Sequence, residues 1–507
     1  MKKYKLILAY LALPCYLYAQ EMKPMPYTEP YRPQVHFSPK QHWTNDPNGM
    51  VYYNHVYHLF FQYYPKDIVW GPMHWGHAVS KDMIHWKQLP IALYPDSLGY
   101  IFSGSAVVDY KNTSGFGKNG KVPLVAIFTH HDPKGEKEKK NNFQNQSLAY
   151  SLDEGKTWTK YAGNPVLKNP GIRDFRDPKV MWYEPQKKWV MTLATLDHIT
   201  FYSSPNLKDW TKESEFGLAL GAHGGVWECP DLFPMKLGEK TYWILIVNLN
   251  PGGPNGGSAT QYFVGEFDGN KFTPVDNKLR WLDYGPDEYA GITWSNTGSR
   301  KIFLGWMSNW LYANQVPTKT WRNAMTIPRE LFLKQVNGEL LLASKPVKEL
   351  ANIEQKPVKL SGNLLSGKEE KVPNQYLLKF NTDKINTWSI ILSNYAGEQL
   401  IAGYNGTKNV YYIDRSKSGK TDFNSEFGKI SFAPRLSSSG VSNIELVVDD
   451  SSIELFADDG LTVMTSVFFP KNPYNHLQIQ NNKGMVIKNI ELIPLNSIWG
   501  VQNKIKQ

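Results

Sequence analysis

Cysteine is scarce in this chain of 507 residues, which contains only Cys15 and Cys229. If the chain is cleaved after Ala19, as argued below, Cys229 alone remains, and one thiol cannot form an internal disulfide. Long apolar runs are lacking as well, because beyond residue 19 none approaches the roughly 20 residues that a membrane-spanning helix requires. The fold is therefore expected to depend on packing alone, without a disulfide or a mature membrane span.

An excess of charge is also lacking. Charged residues make up 20% and hydrophobic residues 41% of the sequence, which excludes a largely disordered chain and fits a folded soluble protein. The net charge of +10 is spread along the chain, apart from a short mixed run, KGEKEKK, at Lys134–Lys140. We interpret this run as a solvated loop, and no nucleic-acid partner is expected.

Motifs for metals and cofactors are absent from the sequence. It contains neither zinc-binding nor EF-hand spacing, and no glycine-rich phosphate loop precedes a helix. The sequence His130-His131-Asp132 is interpreted as a loop, because an adjacent histidine pair by itself is a weak metal motif. We therefore expect no metal and no cofactor.

The N-terminus has the three parts of an export signal. Lysines within the first five residues precede the apolar stretch Leu6–Tyr18, and Ala19 gives a cleavage point. An alternative is a lipoprotein anchored through Cys15, although Leu13-Pro14 departs from the small residues that normally precede a lipidated cysteine. The expected location is the periplasm or the cell exterior.

Aromatic residues, glycine and proline are plentiful, and the sequence repeats itself. With 17 Trp, 29 Tyr, 39 Gly and 33 Pro, many short strands and turns are expected. A strand ending in serine, a polar turn and a tryptophan recur in AVSKDMIHW, AYSLDEGKTW and YSSPNLKDW, with a looser copy in VGEFDGNKF. Repeated units of short strands predict the blades of a β-propeller, about five with a closing segment through Phe303–Trp306. A large β-sandwich is the alternative.

The chain is too long for one ordinary core, and its pattern changes after Ser344. SKPVKELANI predicts a short helix opened by Ser344 and Pro346, and alternating strands follow from Val358. The fold class is therefore all-β, a propeller followed by a β-sandwich. The predicted divisions are a signal peptide at 1–19, the propeller at 31–345, a linker at 346–358 and the sandwich at 359–502.

Three short segments place acids among rigid neighbours. In HWTNDPNGM, Pro47 holds Asp46 away from helical angles, and Asn48-Gly49 predicts a tight turn. FRDPK repeats the Asp-Pro pair at Asp177, and WECPD contains Glu228. Each segment alone is consistent with an ordinary turn. Together they would lie in different blades, and blades converge on one axis, where remote acids can face a common pocket.

These three blocks, in this order, resemble the signatures of glycoside hydrolase family 32, the invertases, inulinases and levanases. Further similar segments are IFSGSAVVD at Ile101–Asp109, the stretch Asn309–Leu331, SSIELFADDG and TSVFFP. The resemblance implies a five-bladed propeller with a C-terminal sandwich that hydrolyses β-fructosidic bonds with retention, using two carboxylates.

The resemblance also assigns roles to individual residues. Asp46 matches the nucleophile, Glu228 the acid/base and Asp177 the transition-state stabiliser. Trp227 and Pro230 are expected to shield Glu228 from water, and Arg176 is expected to keep Asp177 ionised. The residues matched to substrate contacts are Trp43, Asn45, Gln62, Trp70, Phe102, Ser103, Arg176 and Trp310. Cys229 is not expected to be a nucleophile, because no histidine-containing partner motif accompanies it.

The resulting hypothesis is an exported, exo-acting glycosidase that releases fructose from fructans such as levan and inulin, with sucrose as a further candidate substrate. One alternative is a fructosyltransferase that uses the same site. Another is a non-catalytic fructan-binding protein, which predicts the loss of at least one carboxylate, whereas all three are present. A related arabinan glycosidase is disfavoured by WTNDPNG and WECPD. The sequence predicts no oligomeric state.

Overall fold

The computed structural model describes residues 27–360, 368–481 and 485–499. The predicted signal peptide and Cys15 lie outside the described residues. Strands dominate the described chain, and within it no helix is long and apolar enough to cross a membrane.

Five antiparallel sheets follow one another up to residue 346. The first contains β1 (His42–Tyr53), β2 (Val56–Tyr64), β3 (His74–Ser80) and β4 (Lys87–Leu93). The second contains β5 (Tyr100–Val108), β6 (Leu124–His131), β7 (Gln144–Ser151) and β8 (Thr159–Lys160), with helix α1 (Pro133–Lys137) between β6 and β7. The third contains β9 (Phe175–Tyr183), β10 (Lys188–Thr195), β11 (His198–Ser204) and β12 (Thr211–Phe216), with a 3₁₀ turn at Glu184–Gln186.

The last two of these sheets are built in the same way. The fourth contains β13 (Val226–Leu237), β14 (Lys240–Asn250), β15 (Ala259–Phe267) and β16 (Phe272–Pro274). The strands after it are β17 (Tyr289–Thr293), β18 (Ile302–Met307), β19 (Trp321–Arg322), β20 (Ala324–Met325), β21 (Arg329–Val336) and β22 (Glu339–Pro346). Of these, β19 pairs in parallel with β1 and joins the first sheet, whereas the others form the fifth.

The first strands of the five sheets, β1, β5, β9, β13 and β17, contact one another in cyclic order, and β17 returns to β1. This is the arrangement of propeller blades around an axis. Together with the sheets after residue 368, it confirms the predicted all-β class of a propeller followed by a sandwich.

The repeated segments form the turns between the third and fourth strands of four successive sheets. In the first, the Ser80 hydroxyl donates to Asp82, whose carboxylate accepts the Ile84 N–H. Asp153, Asn206 and Asp268 accept turn N–H groups in the same way. Short polar side chains that satisfy backbone donors are the reason for the recurring Asp and Asn.

The second part of the chain contains two packed sheets. Their strands are β23 (Glu370–Lys371), β24 (Tyr376–Thr382), β25 (Trp388–Ser393), β26 (Gln399–Asn405), β27 (Val410–Asp414), β28 (Ile430–Pro434), β29 (Asn443–Asp449), β30 (Ser452–Ala457), β31 (Thr462–Val467), β32 (His476–Asn481) and β33 (Ile487–Pro494). One sheet has the order β23-β32-β25-β26-β27-β28 and the other β31-β30-β29-β24-β33.

The predicted helix between the two parts begins later than expected. Ser344 and Pro346 belong to β22, and a 3₁₀ helix covers Lys348–Ile353 with Val347 at its N-cap. The prediction that Ser344 opens the helix is therefore wrong, because its backbone N–H donates instead to the carbonyl of Gly460 in the sandwich.

Buried charges join the sandwich to the propeller. The guanidinium of Arg329 in β21 donates to Asp283 at 2.8 Å and to Glu454 in β30 through Nε at 3.0 Å, and all three side chains are fully buried. Glu454 also accepts from the His36 ring at 2.8 Å. The pairing satisfies charges that would be costly to bury alone.

Candidate active site

The pairing of all five inner strands is irregular near their first residues. The register shifts lie between Thr44 and Pro47, Ile101 and Gly104, Arg176 and Lys179, Glu228 and Asp231, and Tyr289 and Ile292. Bulges interrupt the alternation of a strand and redirect its side chains. Because the five irregularities surround one end of the axis, the side chains they carry converge there.

Asp46 lies in the bulge of β1 and is half-buried. Its Oδ1 accepts from the Asn45 amide at 2.8 Å, and its Oδ2 accepts from the Ser103 hydroxyl at 2.7 Å. Two neutral donors thus hold the carboxylate in one orientation. The predicted turn at Asn48-Gly49 is wrong, because both residues continue β1, where Gly49 has φ +56° at a second register shift.

Asp177 is buried in β9 and has φ +64°, a conformation that non-glycine residues rarely adopt. Its Oδ2 accepts the backbone N–H of Cys229 at 3.0 Å. Burial, reinforced by the charges of Glu228 and Asp46, raises the pKa of Asp177 to about 7 against the opposing effect of Arg176. Arg176 lowers the pKa of Asp177, which is the expected direction, but burial outweighs the arginine and the pKa stays above its ordinary value.

The thiol of Cys229 lies between the two aspartates, 3.4 Å from Oδ2 of Asp46 and 3.6 Å from Oδ2 of Asp177. Asp46 and Asp177 are separated from Cys229 by 183 and 52 positions in the sequence, and both carboxylates contact its sulfur atom. Burial and the neighbouring carboxylates raise the pKa of Cys229 well above its ordinary value. The neutral thiol acts as a weak donor and is unsuited to nucleophilic attack.

Glu228 reaches the same pocket from β13. Its Oε1 accepts from Nε and Nη2 of Arg176 at 3.2 and 3.0 Å, and its Oε2 accepts from the hydroxyl of Tyr289. Arg176 also pairs with Asp174 at 2.6 Å. The predicted shielding of Glu228 by Trp227 is wrong, because the Trp227 ring is fully buried in the core and its Nε1 donates to the carbonyl of Ala222.

These groups border a cavity of about 240 Å³. This is below the roughly 300–1,000 Å³ of pockets that hold drug-sized ligands, so a single small ring is the appropriate size. The lining residues are Asn45, Asp46, Gln62, Trp70, Met73, Phe102, Ser103, His131, Glu136, Phe143, Gln144, Asp174, Arg176, Asp177, Glu228 and Trp310.

The structure brings ten of the eleven predicted site residues to this cavity. Gln62 is buried there, and its Nε2 has no partner among the described residues, which leaves the amide available to a ligand. Trp70 is 39% exposed at the mouth. Trp43 is the exception: it is completely buried, donates from Nε1 to Oδ1 of Asn45 at 2.8 Å and packs against Trp310. The prediction that Trp43 forms a wall is wrong, and its contact instead orients Asn45.

Several lining residues were not predicted from the sequence. His131 stacks on Phe102 with ring centroids 4.2 Å apart and bonds to Glu136 at 3.0 Å. His130 and His131 end β6 and do not form the expected loop. Asp132 caps α1, so the run KGEKEKK, interpreted as a loop, begins with a helical turn that brings Glu136 to the cavity. The local sequence has no signal for this contact, apart from Asp-Pro as a helix start.

The arrangement is suited to acid–base and nucleophilic chemistry on one ring. Asp46 is held by neutral donors, whereas Glu228 is held by a cation and a phenol on separate oxygens. Among the described residues no cluster of three or more His, Cys, Asp or Glu side chains has a geometry for a metal ion. The carboxylates are instead paired with arginine, hydroxyl, thiol and backbone donors.

Two family profiles match the chain. The one described as "Glycosyl hydrolases family 32 N-terminal domain" covers residues 36–345, and the one described as "Glycosyl hydrolases family 32 C terminal" covers residues 343–494.

Individual proteins are similar over most of the chain. A levanase from Bacillus subtilis (strain 168) is 47% identical over 495 residues, covering 94% of this chain and 72% of the levanase. An extracellular exo-inulinase from Aspergillus ficuum is 42% identical over 500 residues, covering 90% and 93%. The crystal structure of an exo-inulinase from Aspergillus awamori is 38% identical, with a TM-score of 0.86, and covers 94% of this chain and 100% of its own.

Proposed function

The chain belongs to glycosyl hydrolase family 32, and from that membership we propose that Asp46, Asp177 and Glu228 hydrolyse β-fructofuranosidic bonds in the cavity they share. Its similarity to a levanase and to exo-inulinases makes the protein an exo-acting β-fructosidase. The observation that carries the residue assignment is the meeting of three acids from separate blades around Cys229 and Arg176.

Asp46 attacks first. Its carboxylate, oriented by Asn45 and Ser103, is placed to bond to C2 of a terminal fructosyl ring, and the C2–O bond to the rest of the chain breaks. Glu228 gives its proton to the departing oxygen. Both Arg176 donors occupy Oε1, so Oε2 is the oxygen left to exchange the proton, and Tyr289 orients it.

Water completes the cycle. Glu228, now a carboxylate, removes a proton from a water molecule, which attacks C2 and releases Asp46. Two displacements at C2 preserve the configuration, so fructose leaves with retention. Asp177 grips ring hydroxyls as positive charge develops on the ring, and the N–H of Cys229 fixes its direction.

The small cavity favours release of single fructosyl units. Its volume of about 240 Å³ fits one ring, and aromatic side chains at its mouth, Trp70 and Phe102, are placed to contact the next unit. Levan, inulin and sucrose all present a terminal fructosyl ring, and we propose all three as substrates. The protein acts outside the cytoplasm, as the relative named as an extracellular exo-inulinase does.

The assignment is tested with Asp46→Ala and Glu228→Ala, assayed by fructose released from levan, inulin and sucrose. Each substitution is expected to lower turnover by about 10³-fold or more while the melting temperature stays near that of the unmodified protein. Glu239→Ala, at an exposed turn between β13 and β14, is the matched control and should retain full activity. Near-normal turnover in either variant would remove that residue from its role.

A further inference from the structure

A second, larger cavity lies at the opposite end of the propeller axis. Its volume is about 530 Å³, more than twice that of the acid-lined cavity. Along β5, Ser103 borders the smaller cavity and Val107 the larger one. Four strand residues span about 13 Å, so the two cavities are separate openings of one axis.

The same order holds in the neighbouring inner strands. In β9, Asp177 borders the smaller cavity and Trp182 the larger one, and in β13 Glu228 and Phe233 have the corresponding positions. The inner strands run in the same direction, so their first residues lie at one end of the axis and their last residues lie at the other end. None of the proposed catalytic groups lines the larger cavity.

The inner part of this cavity contains a carboxylate that is only half satisfied. Oδ2 of Asp231 accepts from the backbone N–H of Thr293 at 2.6 Å and from its hydroxyl at 2.7 Å, and it pairs with Lys179 at 3.2 Å. Oδ1 has no partner among the described residues, although Asp231 is fully buried. An unpartnered buried acceptor is costly, and a hydroxyl group is a donor that would satisfy it.

The larger cavity is lined by equal numbers of positively and negatively charged side chains. Its cations are Lys111, Lys179 and Lys301, and its acids are Asp109, Glu184 and Asp231. Equal numbers give no net attraction for an anion such as phosphate or nucleic acid. The lining favours an uncharged ligand with both donors and acceptors.

Aromatic rings form the outer part. Tyr110 is 60% exposed, and Trp182 and Trp243 are half-buried. The uncovered faces of such rings pack against the apolar faces of sugar rings, while hydroxyls at the ring edges bond to polar groups. Aromatic walls with a few buried polar groups at the bottom are typical of ligand sites.

We propose that this cavity is a second carbohydrate-binding site, which holds a segment of a fructan chain remote from the cavity where the chain is cleaved. The proposal rests on the proposed function for the choice of sugar. If the cavity of about 240 Å³ holds one fructosyl unit, about 530 Å³ accommodates two. Such a site would keep a long polymer attached between successive cleavages.

The binding test uses the full chain carrying Glu228→Gln, so that sugar is not consumed, and titrates it calorimetrically with a short inulin oligosaccharide. Two sites per chain are expected. Adding Tyr110→Ala and Trp182→Ala should weaken one of them by about tenfold or abolish it, leaving the other unchanged. Tyr395→Ala, at a tyrosine that is 83% exposed on the sandwich, is the matched control and should leave both sites.

Kinetics give a second readout. In the chain with intact Glu228, Tyr110→Ala and Trp182→Ala should raise KM for polymeric fructan several-fold and leave sucrose hydrolysis unchanged, because sucrose is too small to occupy both cavities. A single binding site in the Glu228→Gln chain, unaffected by the two substitutions, would overturn the inference while leaving the proposed function intact. If instead the unmodified chain releases no fructose but the larger cavity binds oligosaccharide, the proposed function fails and the binding site stands.

Discussion

The hydroxyl of Tyr289 donates a hydrogen bond to Oε2 of Glu228, the oxygen that Arg176 leaves free. Tyr289 is fully buried at the start of β17, in the register shift of the fifth sheet. Glu228 and Tyr289 are 61 positions apart, and this hydrogen bond fixes the orientation of the carboxyl group.

Tyr289→Phe should therefore impair catalysis more than binding. Removing the hydroxyl leaves the ring packing intact but lets Oε2 change orientation, and kcat is expected to fall by about 10- to 100-fold with little change in KM. Steady-state kinetics on sucrose give the two constants separately. Tyr262→Phe is the matched control, because its buried hydroxyl accepts the Leu342 N–H far from the cavity. An unchanged kcat in Tyr289→Phe would exclude the orienting role.

The contact of Tyr289 with Glu228 has no signal in the local sequence, unlike the acidic motifs and the repeated turns. The motifs around Asp46, Asp177 and Glu228 were identifiable because proline and glycine next to an acid have local consequences, and the repeated Ser-x-Asp turns depend on contacts two to four residues apart. Those features led to the fold class and to the three acids, and the family resemblance that the acidic motifs carry led to the other predicted lining residues.

The remaining contacts depend on tertiary structure. Trp43 precedes Asn45 by two residues, and only the bulge of β1 and the packing of Trp310 decide that its ring lies behind the cavity. Likewise, Glu136 reaches the cavity because α1 follows β6 directly, although its sequence is that of an exposed charged run. Strand alternation fails at bulges, so sequence periodicity does not predict side-chain direction there.

A pH-dependent prediction follows from the raised pKa of Asp177. In the unfolded chain an aspartate has a pKa near 3.9, whereas burial, Glu228 and Asp46 raise it to about 7 in the folded protein. Between these values the folded state binds more protons at this group, so the contribution of Asp177 to the free energy of unfolding decreases as pH rises from about 4 to about 7 and is then constant.

Asp177→Asn should remove this decrease in stability with rising pH. The variant's melting temperature is expected to match that of the unmodified protein near pH 4 and to exceed it by a growing margin up to about pH 7, while turnover falls sharply. Melting curves across this range give the comparison. Asp209→Asn, at an exposed turn, should show a difference that does not vary with pH. A margin that shrinks as pH rises would contradict the assignment of the raised pKa.

Glu454 lies at the contact between propeller and sandwich. This carboxylate is fully buried and binds Arg329, His36 and the Ile327 N–H, so it joins β21 and the segment before β1 to β30. Although burial lowers the pKa of His36, its pairing with Asp449 and Glu454 raises it to about 9. Both cationic partners are thus charged at neutral pH. Around them, Phe456 and Val463 of the sandwich pack in one core with Trp306 of the propeller.

Glu454→Ala should destabilise the whole protein. It leaves the Arg329 guanidinium facing one carboxylate instead of two, and removing one partner from a buried ion pair typically costs about 3–5 kcal/mol. The melting temperature is expected to fall by several degrees, whereas sucrose hydrolysis well below that temperature should be unchanged, because none of the hydrogen-bond partners of Glu454 lines the acid-lined cavity. Glu491→Ala, exposed on β33, is the matched control.

Truncation after residue 345, at the proposed end of the propeller, removes the same contacts together with the apolar interface and should lower the melting temperature further than Glu454→Ala does. A truncated chain that stays soluble and equally heat-stable would show that the propeller needs neither Glu454 nor the sandwich.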